Sequence, residues 1–289
     1  MDKGDKMIAG IVVLYNPKSD MVIKNISTYL EYIDYLLVVD NSEESNAASF
    51  SQLIEKENIE YLSLGENKGI AFALNCGIKF ALQKKADYLL TMDQDSYFKP
   101  EEIKKYINYI YGDFMELKKA ALLSPKHTVP YLKNDEGIKE VKTVMTSGNI
   151  IDLHKISEIG LFKEDLFIDS VDHEYCYRIK NSGYRVYRNN NIALEHNLGE
   201  LQERLFLGKK LAVTNHNYIR RYYITRNLLW VYRNYQSNKL KVTKFTSMYL
   251  YWTLITILIY EKDKLRKFKS VLSGYKDYRR GELGKKIWN

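Results

Sequence analysis

Cysteine is scarce. The 289 residues hold two, Cys76 and Cys176, too few for a disulfide framework and in keeping with a reducing cytosol. Also missing are a Gly-x-Gly-x-x-Gly turn and a Gly-Lys-Ser/Thr loop, so the usual dinucleotide and ATP fingerprints are excluded. The opening "MDKGDKMIAGIVVLY" has none of the basic n-region, long apolar h-region or cleavage site of a signal peptide. No internal repeat or low-complexity linker interrupts the chain. At 45% hydrophobic and 13% aromatic residues, mostly Tyr, the composition is that of a folded protein, not a disordered one. The length allows one large domain, or a domain with an appendage. Acidic residues are rare in one region only: residues 215–289 carry 17 Lys/Arg against 4 Asp/Glu, a charge of +13. The total is +8, so the first 214 residues sum to −5. The basic character belongs to the tail, and basic tails attract anionic surfaces.

What is present is an alternation. Short β-branched runs at 7–16, 34–42, 59–65 and 87–93 read as buried strands, and 21–33, 50–58 and 66–86 carry helical spacing. Strands alternating with helices predict an α/β fold, a mostly parallel sheet with helices on both faces. Ligands bind such sheets beyond the carboxyl ends of the strands. Tyr15-Asn16, Asp40-Asn41 and Asp93-Gln94-Asp95 all fall at predicted strand ends. Residues 1–100 therefore read as a nucleotide-binding half.

The stretch "LLTMDQDSYF" (89–98) poses a physical question, because two carboxylates end an apolar run. Buried carboxylates are costly unless paired or metal-bound. Asp93 and Asp95 either face solvent in a turn or hold a cation. Residues 101–214 begin with a helix, "EEIKKYINYIYGDFMEL", followed by a strand pair around a polar turn at Asn134–Gly137. Ser147-Gly148 forms a small step that is read as preceding a helix. In "LFIDSVDHEYCYRIKNSGYRVYR" (166–188), Asp169, Asp172 and Glu174 crowd the start of a helix. The helix dipole favours carboxylates there, but three within six residues exceed what capping needs. A strand at 192–200 runs into His196.

Seven segments in order carry a likeness: "VVLYN", "VVDNS", "ENKGIAFALNCGI", "MDQDS", "TSGNIID", "FIDSVDHEYCYRIKNSGYRVY" and "LEHNLGE". Together they resemble the family 2 inverting glycosyltransferases of GT-A fold, in particular the bacterial rhamnosyltransferase group that builds cell-surface polysaccharide. The likeness covers roughly residues 7–200. It implies a nucleotide-sugar donor, a divalent cation (Mn²⁺ or Mg²⁺) on the Asp-x-Asp motif, and a carboxylate base. The chemistry asks for similar groups independently. A departing nucleoside diphosphate gains charge, a hard divalent cation stabilises it, and hard cations want oxygen ligands. By resemblance, Asp95 is the direct metal ligand, Asp93 reaches the ribose or the metal, and His196 matches a histidine near metal or diphosphate. The acceptor hydroxyl needs a base, for which Asp169, Asp172 and Glu174 are candidates. Counted back from Arg178, Asp172 falls on the family's catalytic aspartate. Glu174 is then a runner-up or an acceptor-ordering partner, and Asp169 a ligand of acceptor or sugar hydroxyls. Tyr15 and Asn16 would lie near the base of the nucleotide, and Asp40 would take an edge of base or ribose. Asn67, Lys68 and Gly69 resemble a turn that closes over the nucleotide, with Lys68 equally readable as plain surface. Ser147 and Gly148 resemble the wall that shapes donor and acceptor sugars.

The tail, 215–289, reads as a basic amphipathic helical extension to a catalytic domain at 1–214 (acceptor half 101–214). Residues 245–260 form 16 residues without a charge, shorter than the roughly 20 that span a bilayer. Basic flanks with Tyr and Trp at the margins fit an interfacial helix, and a helix packed on the catalytic domain is the alternative. The expectation is a cytoplasmic enzyme, peripheral on the inner face of the cell membrane, acting on a saccharide or polyprenyl-diphosphate-linked acceptor. The favoured donor is dTDP-rhamnose, with UDP-hexose and furanosyl donors left open, as is oligomeric state. A nucleic-acid-binding protein is the rival from a different class, and no nucleic-acid module is recognised. An aspartyl phosphotransferase would leave Asp40, Asp172 and His196 without roles.

Overall fold

The computed structural model describes residues 6–112, 117–128, 135–196, 202–206, 209–213 and 215–288. The chain forms two compact units, Met1–Lys163 with Asp172–Asn197, and Glu164–Val171 with Leu198–Asn289. The sequence reading divides the chain at 214. The units divide it near 197 and assign 164–171 to the second.

The first unit is built on β1 (Ile8–Leu14), β2 (Tyr35–Asp40), β3 (Ile59–Ser63) and β4 (Tyr88–Asp93), parallel in the order β3-β2-β1-β4. Helices α1 (Ser19–Ser27), α2 (Ser51–Ile54) and α3 (Ile70–Gln83) lie between them in sequence. Every residue of β1 is buried. Its even-numbered Ile8, Val12 and Leu14 join a core with Val22 and Ile26 of α1. Its odd-numbered Ala9, Ile11 and Val13 are buried too, and α3 packs against β1, β2 and β4. Cover on both faces explains why these strands read as unbroken apolar runs rather than alternating ones.

The sheet continues through β5 (Ser96–Phe98), helix α4 (Pro100–Tyr111), β6 (Ala120–His127), β7 (Ile138–Glu140), β8 (Asn149–Asp152), α5 (Ile156–Ile159), α6 (Val171–Asn181) and β9 (Arg185–His196). The order is β3-β2-β1-β4-β8-β6-β9-β5, with β7 also on β9. Six of these nine strands point the same way, and β5, β7 and β8 oppose them.

Several expectations need correction. The segment 50–58 holds a single helical turn after a 3₁₀ turn at Ala47–Phe50, because Lys56, Glu57 and Asn58 continue no apolar stripe. The strands around Asn134–Gly137 are not a pair, since β6 runs parallel to β9 and β7 antiparallel to it. Residues 129–134 of that turn lie outside the described residues. Ser147-Gly148 precedes strand β8, not a helix.

The second unit holds an antiparallel pair, β10 (Gln202–Phe206) and β11 (Lys209–Val213), which the sequence reading did not foresee. Three helices follow: α7 (Tyr218–Tyr235), α8 (Lys239–Tyr260) and α9 (Lys264–Arg280). Asn217 and Asn238 cap α7 and α8, their side-chain oxygens accepting from Arg220 N at 2.8 Å and Lys241 N at 3.1 Å. Glu261, fully buried, is paired with Arg221 and with Lys267. The uncharged 245–260 run sits in a 22-residue helix, because Lys239–Lys244 extend it by nearly two turns. By length and composition α8 is able to cross a membrane.

Candidate active site

Register brings the strand-end residues level. Leu14 is opposite Asp40 on one side, and Val13 is opposite Asp93 on the other, so Tyr15, Asp40 and Asp93 emerge at one edge of the sheet. The chain then turns at Gln94-Asp95 into β5, which pairs antiparallel with the end of β9, setting Ser96 opposite His196. Asp95 is thereby next to His196: Asp95 Oδ1 lies 3.5 Å from Nδ1, and Ser96 Oγ lies 2.6 Å from the same nitrogen. Asp93, Asp95 and His196 each present one ligand atom within 4.8 Å of the others. Two carboxylates and an imidazole form a donor set suited to a divalent cation. Ser96 and Asp95 both meet the ring at Nδ1, so Ser96 fixes the orientation of His196 beside Asp95. Residues 197–200 of the "LEHNLGE" segment lie outside the described residues.

Three side chains to which the sequence reading gives no role position this cluster. Gln94 clasps the backbone of Tyr15, accepting from its N–H at 2.9 Å and donating to its carbonyl at 3.1 Å, while Asn25 Nδ2 donates to Gln94 O at 2.9 Å. His127 is buried, stands edge-on to His196 with ring centroids 5.9 Å apart, and its Nε2 lies 2.9 Å from Ser147 O. A carbonyl only accepts, so Nε2 bears the proton. Burial, with His196 and Arg188 adding to it, pushes the His127 pKa down to about 4, so the ring is neutral near pH 7 and adds no charge beside the cluster.

Ser147 and Gly148 come to the same place. Ser147 Oγ accepts from Asp93 N at 3.1 Å, and Gly148 N donates to Thr91 O at 2.6 Å. Gly148 has φ +78°, and a Cβ there would lie 2.7 Å from Pro125 and 2.8 Å from Leu194. Gly148→Ala is therefore expected to lower stability by about 2–4 kcal/mol, from left-handed strain plus overpacking. Thermal unfolding checks this, and a melting temperature within 2 °C or so of wild type would contradict it.

Asp40 is fully buried. Its Oδ2 accepts from Tyr61 OH at 2.5 Å and from Asn46 N at 2.8 Å and Nδ2 at 3.0 Å, and its Oδ1 accepts from Ser42 N at 3.1 Å. Burial raises its pKa, but these bonds outweigh it and leave the carboxyl below its usual value. Asp40 thus orders the Ser42–Asn46 loop, and Ser42 Oγ in turn accepts from Asn16 N at 2.9 Å. Asn16 adopts φ 45° and Tyr15 is exposed. Asn41 and Asn67 interlock: Asn67 Oδ1 accepts from Asn41 Nδ2 (3.1 Å) and Gly69 N (3.0 Å), and Asn41 Oδ1 accepts from Lys68 N (2.8 Å). This clasp sets Gly69, at φ +87°, as the entry to α3. The Lys68 side chain pairs with Glu66 at 3.7 Å.

The carboxylates around α6 separate by environment. Glu174 is buried and bidentate with Arg178, at 3.0 and 2.7 Å. Arg178 also donates to the carbonyls of Ile159 and Leu161, so this pair ties α6 to the end of α5. Asp172, in the first turn, is half-exposed and among the described residues accepts from His173 N at 2.8 Å. Asp169 belongs to the second unit, with φ 62° and its carboxylate 3.2 Å from Arg220. There Asn227 Nδ2 donates to the carbonyls of Leu166, Ile168 and Asp169, pinning a segment in which Phe167, Asp169 and Ser170 all have positive φ. Such strain persists only where surroundings enforce it. The two cysteines are free thiols, and burial pushes Cys176 up to about 12.

Residues 11–115 match the family model for glycosyl transferase family 2. The chain is 29% identical to a dTDP-rhamnosyl transferase of Shigella flexneri (RfbF), over 96% of this chain and 97% of that one. Among solved structures, GalNAc-T7 with UDP, GalNAc and Mn²⁺ has a TM-score of 0.62 at 12% identity, over 96% of this chain. The match covers 57% of the GalNAc-T7 chain. Residues 1–349 of TarS from S. aureus in complex with UDP give 0.54 at 14%, over 98% of this chain and 94% of that one. Both likenesses concern the fold.

Proposed function

We propose that the chain, a glycosyltransferase whose residues 11–115 match the family model for glycosyl transferase family 2, transfers rhamnose from dTDP-rhamnose, with inversion, to a saccharide or polyprenyl-diphosphate-linked acceptor in surface polysaccharide synthesis. The observation that carries the reaction type is the Asp93–Asp95–His196 cluster at the sheet edge. A divalent cation held there supplies positive charge for the leaving nucleoside diphosphate. Tyr15, Asn16, Asp40 and the Asn67–Gly69 turn shape the nucleotide end, with Asp40 and Asn67 acting through the loops they order. Ser147 and Gly148 wall the sugar. The acceptor oxygen attacks the anomeric carbon as its proton passes to Asp172, and the bond from that carbon to the diphosphate oxygen breaks. Asp172 is favoured over Glu174 because Arg178 occupies both Glu174 oxygens. The likeness to the S. flexneri rhamnosyl transferase supports the choice of sugar.

The second unit would hold the enzyme at the cytoplasmic face of a membrane. Tyr251 and Leu258 of α8 and Leu265 and Phe268 of α9 are exposed apolar side chains beside exposed Lys262, Lys264, Arg266 and Lys269, a composition that suits an anionic bilayer surface.

A donor screen tests the reading. With Mn²⁺ or Mg²⁺ present, dTDP-rhamnose at about 100 times its Kd should stabilise the fold by about 2.7 kcal/mol, read as a rise in melting temperature. UDP- and GDP-sugars should give less, and EDTA should remove the effect. A larger shift with a UDP-hexose or a furanosyl donor would replace rhamnose. No shift with any nucleotide sugar would remove the donor reading.

A further inference from the structure

Within the second unit, the end of α7, the start of α8 and the end of α9 enclose a cleft of about 570 Å³. We infer that this cleft is a binding site for a phosphate or diphosphate group, separate from the nucleotide-sugar site. Three cations converge on it from three elements: Arg233 from the last turn of α7, Lys239 from the first turn of α8 and Arg279 from the last turn of α9. No acidic residue lines it, and none of the three cations has a carboxylate partner among the described residues. Ser247 and Tyr275 add hydroxyl donors. Tyr275 OH already accepts from Arg279 at 3.3 Å, and Arg233 lies 5.9 Å from the centre of the Tyr278 ring, which orients both guanidinium groups.

The unit is rich in cations, and a helix dipole favours Arg233 and Arg279 at helix C-termini. Lys239 is placed differently, at a helix N-terminus. A cation in the first turn of a 22-residue helix with no acidic residue in that turn is opposed by the dipole, and nothing described offsets it. An anion in the cleft would offset it, because the same helix end that repels Lys239 attracts a phosphate. Guanidinium groups supply the paired donors that phosphate oxygens take best. The group could arrive on a lipid headgroup or on a free phosphate compound, since both present the same oxygens.

The test uses the full chain in EDTA, so that the Asp93–Asp95–His196 cluster lacks its cation and a failure of the donor reading stays separate. Pyrophosphate binding is measured by calorimetry, and flotation with phosphatidylcholine vesicles is compared with and without phosphatidylglycerol. Arg233→Gln with Arg279→Gln is set against a charge-matched control, Lys262→Gln with Lys269→Gln, all four positions being exposed. The arginine pair should weaken pyrophosphate binding roughly tenfold or more, and the lysine pair less than about twofold, as expected for screened exposed charges. If the arginine pair also weakens flotation with phosphatidylglycerol, the headgroup is the source; if flotation is unchanged, the free anion is. Equal losses of pyrophosphate binding from both pairs would show general charge attraction and overturn the site, whatever the lysine pair does to flotation. So would pyrophosphate binding and flotation that are both indifferent to the arginine pair.

Discussion

Asp95→Ala is expected to abolish divalent-dependent donor binding and to cut turnover by roughly 10³-fold or more, the scale of losing several kcal/mol of charge stabilisation on the leaving group. The fold should survive. Asp95 is half-exposed in the turn between β4 and β5, and its contact is with His196. The Ser96–His196 hydrogen bond that closes β5 onto β9 does not depend on it. Asp93→Ala is a less clean probe, because Asp93 ends β4 beside Ser147. Donor binding measured with and without Mn²⁺ separates the outcomes. Wild type should lose affinity in EDTA, and Asp95→Ala should show the same weak affinity with or without metal. Full wild-type activity in EDTA, or full activity of the variant, would end the metal reading.

The parts of this site that were legible in the sequence are those written locally. Strands β1, β2 and β4 are buried on both faces, so they appear as apolar runs, and the polar residues at their ends mark the ligand edge without any tertiary knowledge. The neighbourhood of His196 was not legible in this way. It follows from β5, three residues long, pairing with a strand a hundred residues away, and three residues carry no periodic signal. The family likeness, and not the pattern, pointed to His196. The tasks of Gln94, Asn41 and His127 are invisible for a related reason, since each bonds backbone or side chains brought close only by the closed sheet. Glu174 is the opposite case. Its i,i+4 spacing to Arg178 is a local signal of a helix-surface pair, and burial turns it into the tie between α6 and the end of α5. The uncharged run 245–260 is shorter than α8, because Lys is a good helix former and carries the helix back to Asn238.

Asp172→Asn should leave stability and donor affinity near wild type and slow the chemical step by roughly 10²- to 10⁴-fold, the contribution of a general base. The side chain is half-exposed, among the described residues it accepts from the adjacent His173 N–H, and an amide oxygen can accept that bond equally well. What the amide loses is the capacity to take a proton from the acceptor hydroxyl. Glu174→Gln removes the same charge two residues along the same helix and should behave in the opposite way. It weakens a buried, bidentate pair with Arg178, so a loss of about 2 kcal/mol or more of stability is expected. The molecules that remain folded should turn over at near the wild-type rate. Single-turnover kinetics at saturating donor, with thermal melts of the same preparations, resolve the two effects. If Glu174→Gln slows the chemical step while Asp172→Asn does not, the base lies two residues further along and Arg178 must release it during turnover. If neither slows it, the carboxylates at the start of α6 are structural, and the proton leaves by a group outside this helix.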